Sequence, residues 1–408
     1  MADEFDPFDA AQVQHAWPLL AELRRRSPVV TVAGGMRYVS TYDECRDVLR
    51  DASAFSNASG FKAPGVVVPA EDRLLGELDP PRHTVVRRVV TAALTPRIIK
   101  AAEPFIHDTA AALLGRVRAP GPADLVAAFT VPLPNRVTVH LLGLPPEDAD
   151  QLAAWAKELM ESTFPATNST PRGEGFAAAF PEFAGYIDAH IDRAAAALGR
   201  DEGLHDEARH NDVLSRLLLV EDGGGRLDRR QVRALVRNLI TGGLTTTSQL
   251  LGNLIDQVLS VPGLDGVVRS GPSGLDRAIE ESLRLSPPVL FVPRGCVRDF
   301  EVGAATVRAG ERVIVGTASA NRDERRFSDG EAFDADRANS DAHLTFGHGP
   351  HLCPGAGLAR AVARAGLAAF IDRFPPGGVR LVPGYEFENV PTFFECGPRR
   401  LPVLIDSS

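Results

Sequence analysis

The chain has 408 residues, 44% of them hydrophobic and 24% charged, enough to bury a large core and ordinary for a globular protein. A formal net charge of −9 argues against a general affinity for nucleic acid or anionic lipid, and no apolar run approaches a membrane span. The four cysteines, Cys45, Cys296, Cys353 and Cys396, are too few and too scattered to frame disulfides, and the acidic amino terminus carries no targeting pattern, so a reducing cytoplasm with no membrane anchor is expected.

No repeat or linker divides the sequence, and one domain over residues 1–408 is the simpler expectation. Residues 8 to 27 predict a helix around Ala16, Leu19, Leu20 and Leu23, and Val29 to Ser40 a hairpin turning at Gly34-Gly35. A Thr41 cap with Glu44 three residues on predicts a helix to Arg50. From Phe55 to Leu78 the pattern lapses into a long loop, of the kind that is functional or mobile. Pro80-Pro81 ends it, and His83 and Arg87 follow four apart on one helix face. Such a pair is either solvated polar surface or a clamp for an anion. Residues 101 to 200 are alanine-rich and helical in pattern, with one helix predicted from Asp124 to Leu144 and a flexible connection from Met160 to Gly175.

Asp228 with Gln231 makes a capping box, and the stripe Val232, Leu235, Leu239, Thr246, Leu250, Leu254, Val258 predicts a helix of about 30 residues, roughly 45 Å long. Its middle, Thr241-Gly242-Gly243-Leu244-Thr245-Thr246-Thr247, is full of weak helix formers. Either small residues let a neighbouring helix pack close, or they let a flat ligand reach the backbone while a threonine bends the helix or handles a proton. Glu281 and Arg284 then share a helix face, Arg337 follows in Phe333–Arg337, and strands are predicted at Val289 to Val292, Glu301-Val302, Thr306-Val307, Arg312 to Val315 and Leu401 to Ile405. In Phe346-Gly347-His348-Gly349-Pro350-His351-Leu352-Cys353-Pro354-Gly355, glycines and proline suit a tight loop, and Pro354 suits the first turn of a helix continuing through Leu358, Val362, Ala365 and Ala369. Cys353 is read as a small buried hydrophobe, as part of a zinc set with His343, His348 and His351, or as a thiolate favoured by a helix N-terminus.

The ten-residue cysteine loop resembles the haem-ligand loop of cytochromes P450, FGxGxHxCxG, at every fixed position. Leu78 to Arg88 is similar to the family's DPPxHTxxRR stretch, Glu281–Arg284 with Arg337 to its ExxR network, and Gly242–Thr246 to its (A/G)Gx(D/E)T groove. The resemblance implies a mainly α fold with a small β region, the cytochrome P450 fold. It implies haem b (iron protoporphyrin IX) with Cys353 as axial thiolate. Its propionates would meet His83, Arg87, Arg294 and His351, with Gly243 and Phe346 also beside the cofactor. Thr246 falls on the catalytic threonine. Thr245 stands where the family usually carries an acid, which leaves proton delivery open.

The implied activity is haem-thiolate monooxygenation of a largely apolar small molecule by a monomer. Leu244, Val289, Leu290, Phe291, Val292, Phe393 and Phe394 would line the pocket, and loops 55 to 76 and 160 to 180 would set selectivity. Without a flavin or iron–sulfur domain, electrons would come from a separate ferredoxin or flavodoxin with its reductase, docking at Arg97, Lys100 and Arg360. Thr245 motivates an alternative with atypical proton delivery: peroxide-driven oxidation, radical coupling, dehydration or rearrangement. A haem sensor or carrier without turnover is the third reading.

Overall fold

The computed structural model describes residues 5–60, 72–163, 175–200, 212–222, 225–392 and 394–406. Its main elements, in chain order, begin with α1 (Ala16–Arg26), the hairpin β1 (Val29–Val32) and β2 (Met36–Val39), α2 (Tyr42–Arg50) and β3 (Phe55–Ser56). Then come α3 (Arg82–Ala93), α4 (Pro96–Gly115), β4 (Gly121–Asp124), α5 (Pro132–Leu141), α6 (Ala149–Thr163) and α7 (Pro181–Arg200). The chain closes with α8 (Arg229–Ser260), α9 (Pro272–Leu285), β5 (Val292–Cys296), β6 (Arg312–Val315), α10 (Ala356–Arg373), β7 (Val379–Leu381) and β8 (Pro402–Ile405). The fold is thus mainly helical with a small β part. A five-stranded mixed sheet runs β1-β2-β6-β5-β3, and a three-stranded antiparallel sheet runs β7-β8-β4. Among the described residues no helix is long and apolar enough to cross a membrane.

The helix α8 organises the helical part. Asp228 accepts from Gln231 N at 2.8 Å while the Gln231 side chain accepts from Asp228 N at 2.8 Å, so the predicted capping box forms in full. The helix then runs 32 residues without interruption through its glycine–threonine centre. Its propensity deficit is offset by burial of Val232, Leu235, Ile240, Leu250, Leu251 and Leu254 against α5, α6, α7 and α10.

Four local expectations need correction. Thr41 does not cap α2: its hydroxyl is spent on Glu44, and the Tyr42 N–H is met instead by Asp323 Oδ2 at 2.8 Å. The helix predicted from Asp124 starts later, because Asp124 pairs in β4 and its carboxylate accepts from Val126 N and Leu401 N; a π-helical stretch, Val126–Thr130, precedes α5. The strand predicted at Val289–Val292 begins only at Val292, since Pro288 O and Leu290 N bond the C-terminal segment at Cys396 and Phe394. Residues 8 to 27 form two helices, Ala10–Val13 and α1, split at Gln14-His15. Residues 61–71, within the loop predicted from Phe55 to Leu78, and 164–174, most of the connection predicted from Met160 to Gly175, lie outside the described residues.

The tightest polar cluster is centred on Glu281, which with Arg284 is fully buried. Arg284 grips both oxygens of Glu281 at 2.7 and 2.8 Å, and Arg337 Nε reaches Oε1 at 3.1 Å. The remaining Arg284 donors bond the carbonyls of Asn321, Gly330 and Ala332. Removing the one carboxylate would leave two buried guanidinium groups uncompensated. We expect Glu281→Gln to lower the unfolding free energy by about 3–5 kcal/mol, read from urea denaturation. Arg308→Ala, which breaks an exposed pair with Asp299, should leave the urea midpoint nearly unchanged; equal losses would refute the distinction.

Candidate functional site

An apolar cavity of about 350 Å³ lies between α8 and the cysteine loop. Its α8 wall consists of Leu235, Leu239, Gly242, Gly243, Thr246 and Leu250, one stripe of a helix. Opposite lie Phe346, Gly347, His351 and Cys353. Gly349, at φ 70°, allows the loop to turn, and a Cβ there would sit 2.9 Å from the Arg50 Cα, so the loop seats directly against the end of α2. The two sequence readings of the α8 glycines divide between them. A Cβ on Gly243 would meet Thr138 Oγ1 of α5 at 3.1 Å, which is close helix packing, whereas one on Gly242 would approach nothing nearer than Asn238 Nδ2 at 3.8 Å. Thr246 donates to the Gly242 carbonyl at 2.8 Å.

The sulfur of Cys353 opens onto this cavity. Its own N–H bonds Phe346 O at 2.8 Å, closing the loop. α10 begins at Ala356, so Pro354 lies in the turn before the helix and not in its first turn. The expected net preference for thiolate does not follow: burial pushes the Cys353 thiol up, against the Gly355 and Ala356 N–H groups and the charges of Arg87 and Arg360. A coordinated metal ion would reverse that balance outright. The zinc set is not assembled, since buried His343 turns its Nε2 toward Glu280 Oε2 at 3.3 Å, away from the cavity.

At one end of the cavity four basic side chains converge: His83, Arg87, Arg294 and His351. The two imidazoles lie with centroids 3.9 Å apart and planes tilted by 38°, and neither buried Nε2 has a hydrogen-bond partner among the described residues. Arg294 is 4% exposed and donates to the Pro293 carbonyl at 2.8 Å. Among the described residues no carboxylate pairs with Arg87 or Arg294. Asp79, whose charge acts on His83 and Arg294, is committed to Ser56 and Asn57. Burial lowers His351 to about 3, with the fields of His83, Arg294 and Arg87 adding to it, and burial lowers Arg294 to about 10. Orphaned donors in a dry positive corner are the setting for an anionic group. Together with a sulfur on one face and an apolar slot, they fit a flat metal-bearing cofactor with acidic arms.

Of the predicted pocket residues, Val289 and Val292 line the cavity. Leu244, Leu290, Phe291 and Phe394, also named for it, do not. Leu244 turns into the interhelical core, while Leu290, Phe291 and Phe394 pack with Phe5, Leu20 and Tyr38 beneath the β1–β2 hairpin. Phe393 lies outside the described residues. Thr245 is not on the wall either; its hydroxyl donates to Glu395 Oε1 at 2.6 Å. Sequence reasoning missed Leu239 as a wall residue although it sits one turn before Gly243. It also missed Arg237, whose guanidinium bonds the Asp72 carbonyl and covers the Phe176 ring at 4.5 Å, fastening two segments to α8. Arg360, assigned to a docking surface, is instead tied bidentately to Glu280 at 2.5 and 2.8 Å and lies 4.7 Å over the Phe346 ring.

Comparison with known proteins agrees with this geometry. A family model described as cytochrome P450 matches residues 274–377. Erythromycin C-12 hydroxylase of Saccharopolyspora erythraea is 32% identical over 392 residues, covering 95% of this chain and 94% of that protein. Cyclomarin C epoxidase of Salinispora arenicola is 32% identical over 97% of this chain and 96% of its own. The structure of cytochrome P450 CYP109Q5 from Chondromyces apiculatus superposes with a TM-score of 0.85 at 29% identity, covering 100% of both chains.

Glu280 supplies the pH dependence. Burial alone would raise its carboxyl, but hydrogen bonds and charge from Arg360 and His343 hold it at about 2. A depressed carboxylate contributes stability above its unfolded value that is lost as pH falls through the folded one. Glu280→Gln should therefore cost on the order of 2–3 kcal/mol at pH 7, and the difference from wild type should shrink between about pH 4.5 and 2. A pH-independent difference in urea midpoints would contradict this.

Proposed function

This chain belongs to the cytochrome P450 family and is a monooxygenase, and from that premise we propose that it places one oxygen atom of dioxygen into a largely apolar small molecule, using haem b bound within a single domain. The carrying observation is that one apolar cavity is lined by Cys353 and by four basic side chains, of which Arg87 and Arg294 pair with no carboxylate among the described residues.

Cys353 would ligate the iron, His83, Arg87, Arg294 and His351 would hold the propionates, and Gly243 and Phe346 would flank the ring. Bound there, haem supplies dioxygen activation, with the thiolate tuning its electronics. The protein's own share is positioning and proton control. Leu235, Leu239, Val289 and Val292 offer a substrate hydrocarbon contacts and exclude water, which favours an apolar ligand. Thr246 presents its oxygen to the cavity while its proton is parked on the Gly242 carbonyl, a one-turn bond that opens by hydroxyl rotation to hold or pass a proton. The Glu281 cluster reaches the loop through Leu283 O, which accepts from Thr345 Oγ1 at 2.6 Å, and Thr345 in turn accepts from Asn321 Nδ2 at 2.9 Å. These bonds fix the chain immediately before Phe346.

Electrons would come from a separate ferredoxin or flavodoxin with its reductase. Exposed Arg97 and Lys100 lie at the start of α4, which packs beside the start of α10 through Ile99 and Gly357, and are the basic groups we assign to docking. Reversing both charges should slow electron transfer and flatten its salt dependence; unchanged kinetics would sink the docking assignment. Cys353→His should still bind haem yet lose the thiolate-type absorption of the reduced carbon monoxide complex, and an unchanged spectrum would overturn the ligand assignment. Screening a compound library on wild type by spin-state shift should return apolar compounds; hits confined to polar ones would count against the substrate class.

A further inference from the structure

We propose that Glu395 and Thr245 form a proton relay in which an acid from the C-terminal segment takes the place of one on α8. Thr245 and Glu395 are 150 residues apart in sequence, yet the hydroxyl and the carboxyl oxygen meet at 2.6 Å. Glu395 is 5% exposed, and burial raises its carboxyl against the Thr245 hydrogen bond, with no charged side chain contributing. A carboxyl removed from water, with no cationic side chain paired to it among the described residues, is costly to keep ionised and is poised to carry a proton.

Its position is fixed from several sides. Glu395 N bonds Thr392 Oγ1 at 3.1 Å, its carbonyl accepts from Asn389 Nδ2 at 3.0 Å, and its backbone bridges to Val289, which lines the cavity. Thr245 sits next to Thr246 and three residues from Gly242, whose missing side chain leaves room on that turn of α8. The Gly242 carbonyl and the two threonine hydroxyls could hold a water between Thr245 and the cavity.

The step rests on the oxygen-inserting activity, which consumes one dioxygen, two electrons from the redox partner and two protons per substrate, and yields hydroxylated product and water. For each proton, the Thr245 hydroxyl first turns its own hydrogen from Glu395 toward the cavity, and the Glu395 O–H then breaks as the Thr245 oxygen takes that proton. The original Thr245 proton leaves toward the cavity, and the Glu395 carboxylate is reprotonated from solvent. No redox change occurs in the relay itself. Glu395 acts through Thr245 and touches no reacting atom, so it is a positioning and proton-supplying residue.

The test compares wild-type holoenzyme with Glu395→Gln, Glu395→Asp and Thr245→Val, using a surrogate ferredoxin and reductase and the library compound giving the largest spin-state shift. Glutamine keeps a hydrogen-bonding partner for Thr245, so a purely structural role survives it. The relay predicts that Glu395→Gln and Thr245→Val each lower product per electron by about 10²-fold, divert electrons to peroxide and raise the solvent deuterium isotope effect, with Glu395→Asp restoring part of the loss. Independently of turnover, infrared spectra of the substrate-free ferric protein should show a protonated carboxyl band that persists above the pH range of exposed glutamates. It should vanish in Glu395→Gln and shift in Thr245→Val. Unchanged coupling and isotope effect in Glu395→Gln, or no such band, would overturn the relay. Wild type giving no oxygenated product would count against the activity, and the infrared spectra would still decide whether Glu395 and Thr245 share a proton.

Discussion

The Glu281 carboxylate is the constraint on which the rest of the site depends. With 0% exposure for both Glu281 and Arg284, the pair cannot borrow stabilisation from solvent, and its geometry must be complete. It is: both Glu281 oxygens are taken, and Asp334 N adds a further bond at 2.9 Å. The guanidinium groups then gather carbonyls from 321 to 332, a stretch with little regular structure, and hold it in place. Asn321 passes that order onward through Leu344 N and Thr345 to the cysteine loop. A loop of glycines and prolines is thus made rigid from behind, by charges that never face the cavity.

The cavity shows the opposite electrostatic condition. In the Glu281 cluster every strong donor is met, whereas across the cavity His83 and His351 keep unbonded Nε2 atoms and Arg294 donates to its neighbour's carbonyl. One fold has satisfied one set of buried guanidinium groups and left another, Arg87 and Arg294, without a paired carboxylate among the described residues. An anionic ligand would relieve the cost of keeping those two charges out of water. Cys353 carries the complementary imbalance: burial opposes its thiolate, and a metal cation would favour it. Both imbalances call for the same cofactor.

What was legible in the sequence was what local chemistry decides. The capping box at Asp228, the start of α3 after Pro81 and the loop around Cys353 each depend on residues within a few positions of one another. The misses share a different cause. The Thr41 hydroxyl is drawn off by Glu44, while the first N–H of α2, on Tyr42, goes to Asp323, 281 residues away. Leu290, Phe291 and Phe394 are apolar residues beside the cavity in sequence, and the N-terminal segment covers them on the other face. Arg360 has the right sign for a docking surface, but Glu280, 80 residues away, had already claimed it. Hydrophobicity and charge specify that a side chain needs a partner; only the tertiary fold says which one.

Position 245 carries that point into mechanism. A threonine there looks like a lost acid when the helix is read alone, because the helix offers Thr245 no carboxylate of its own. The C-terminal segment returns over α8 and sets Glu395 against that hydroxyl, in a setting drier than a side chain on the helix surface would have. Moving an acid off the helix separates two functions that one residue would otherwise combine. The α8 threonines keep the helical geometry that places hydroxyls at the wall, while the carboxyl responds to the conformation of a distant segment. That segment also forms an isolated bridge between Glu395 and Val289 on the cavity wall, so the acid is anchored to the cavity lining as well as to α8.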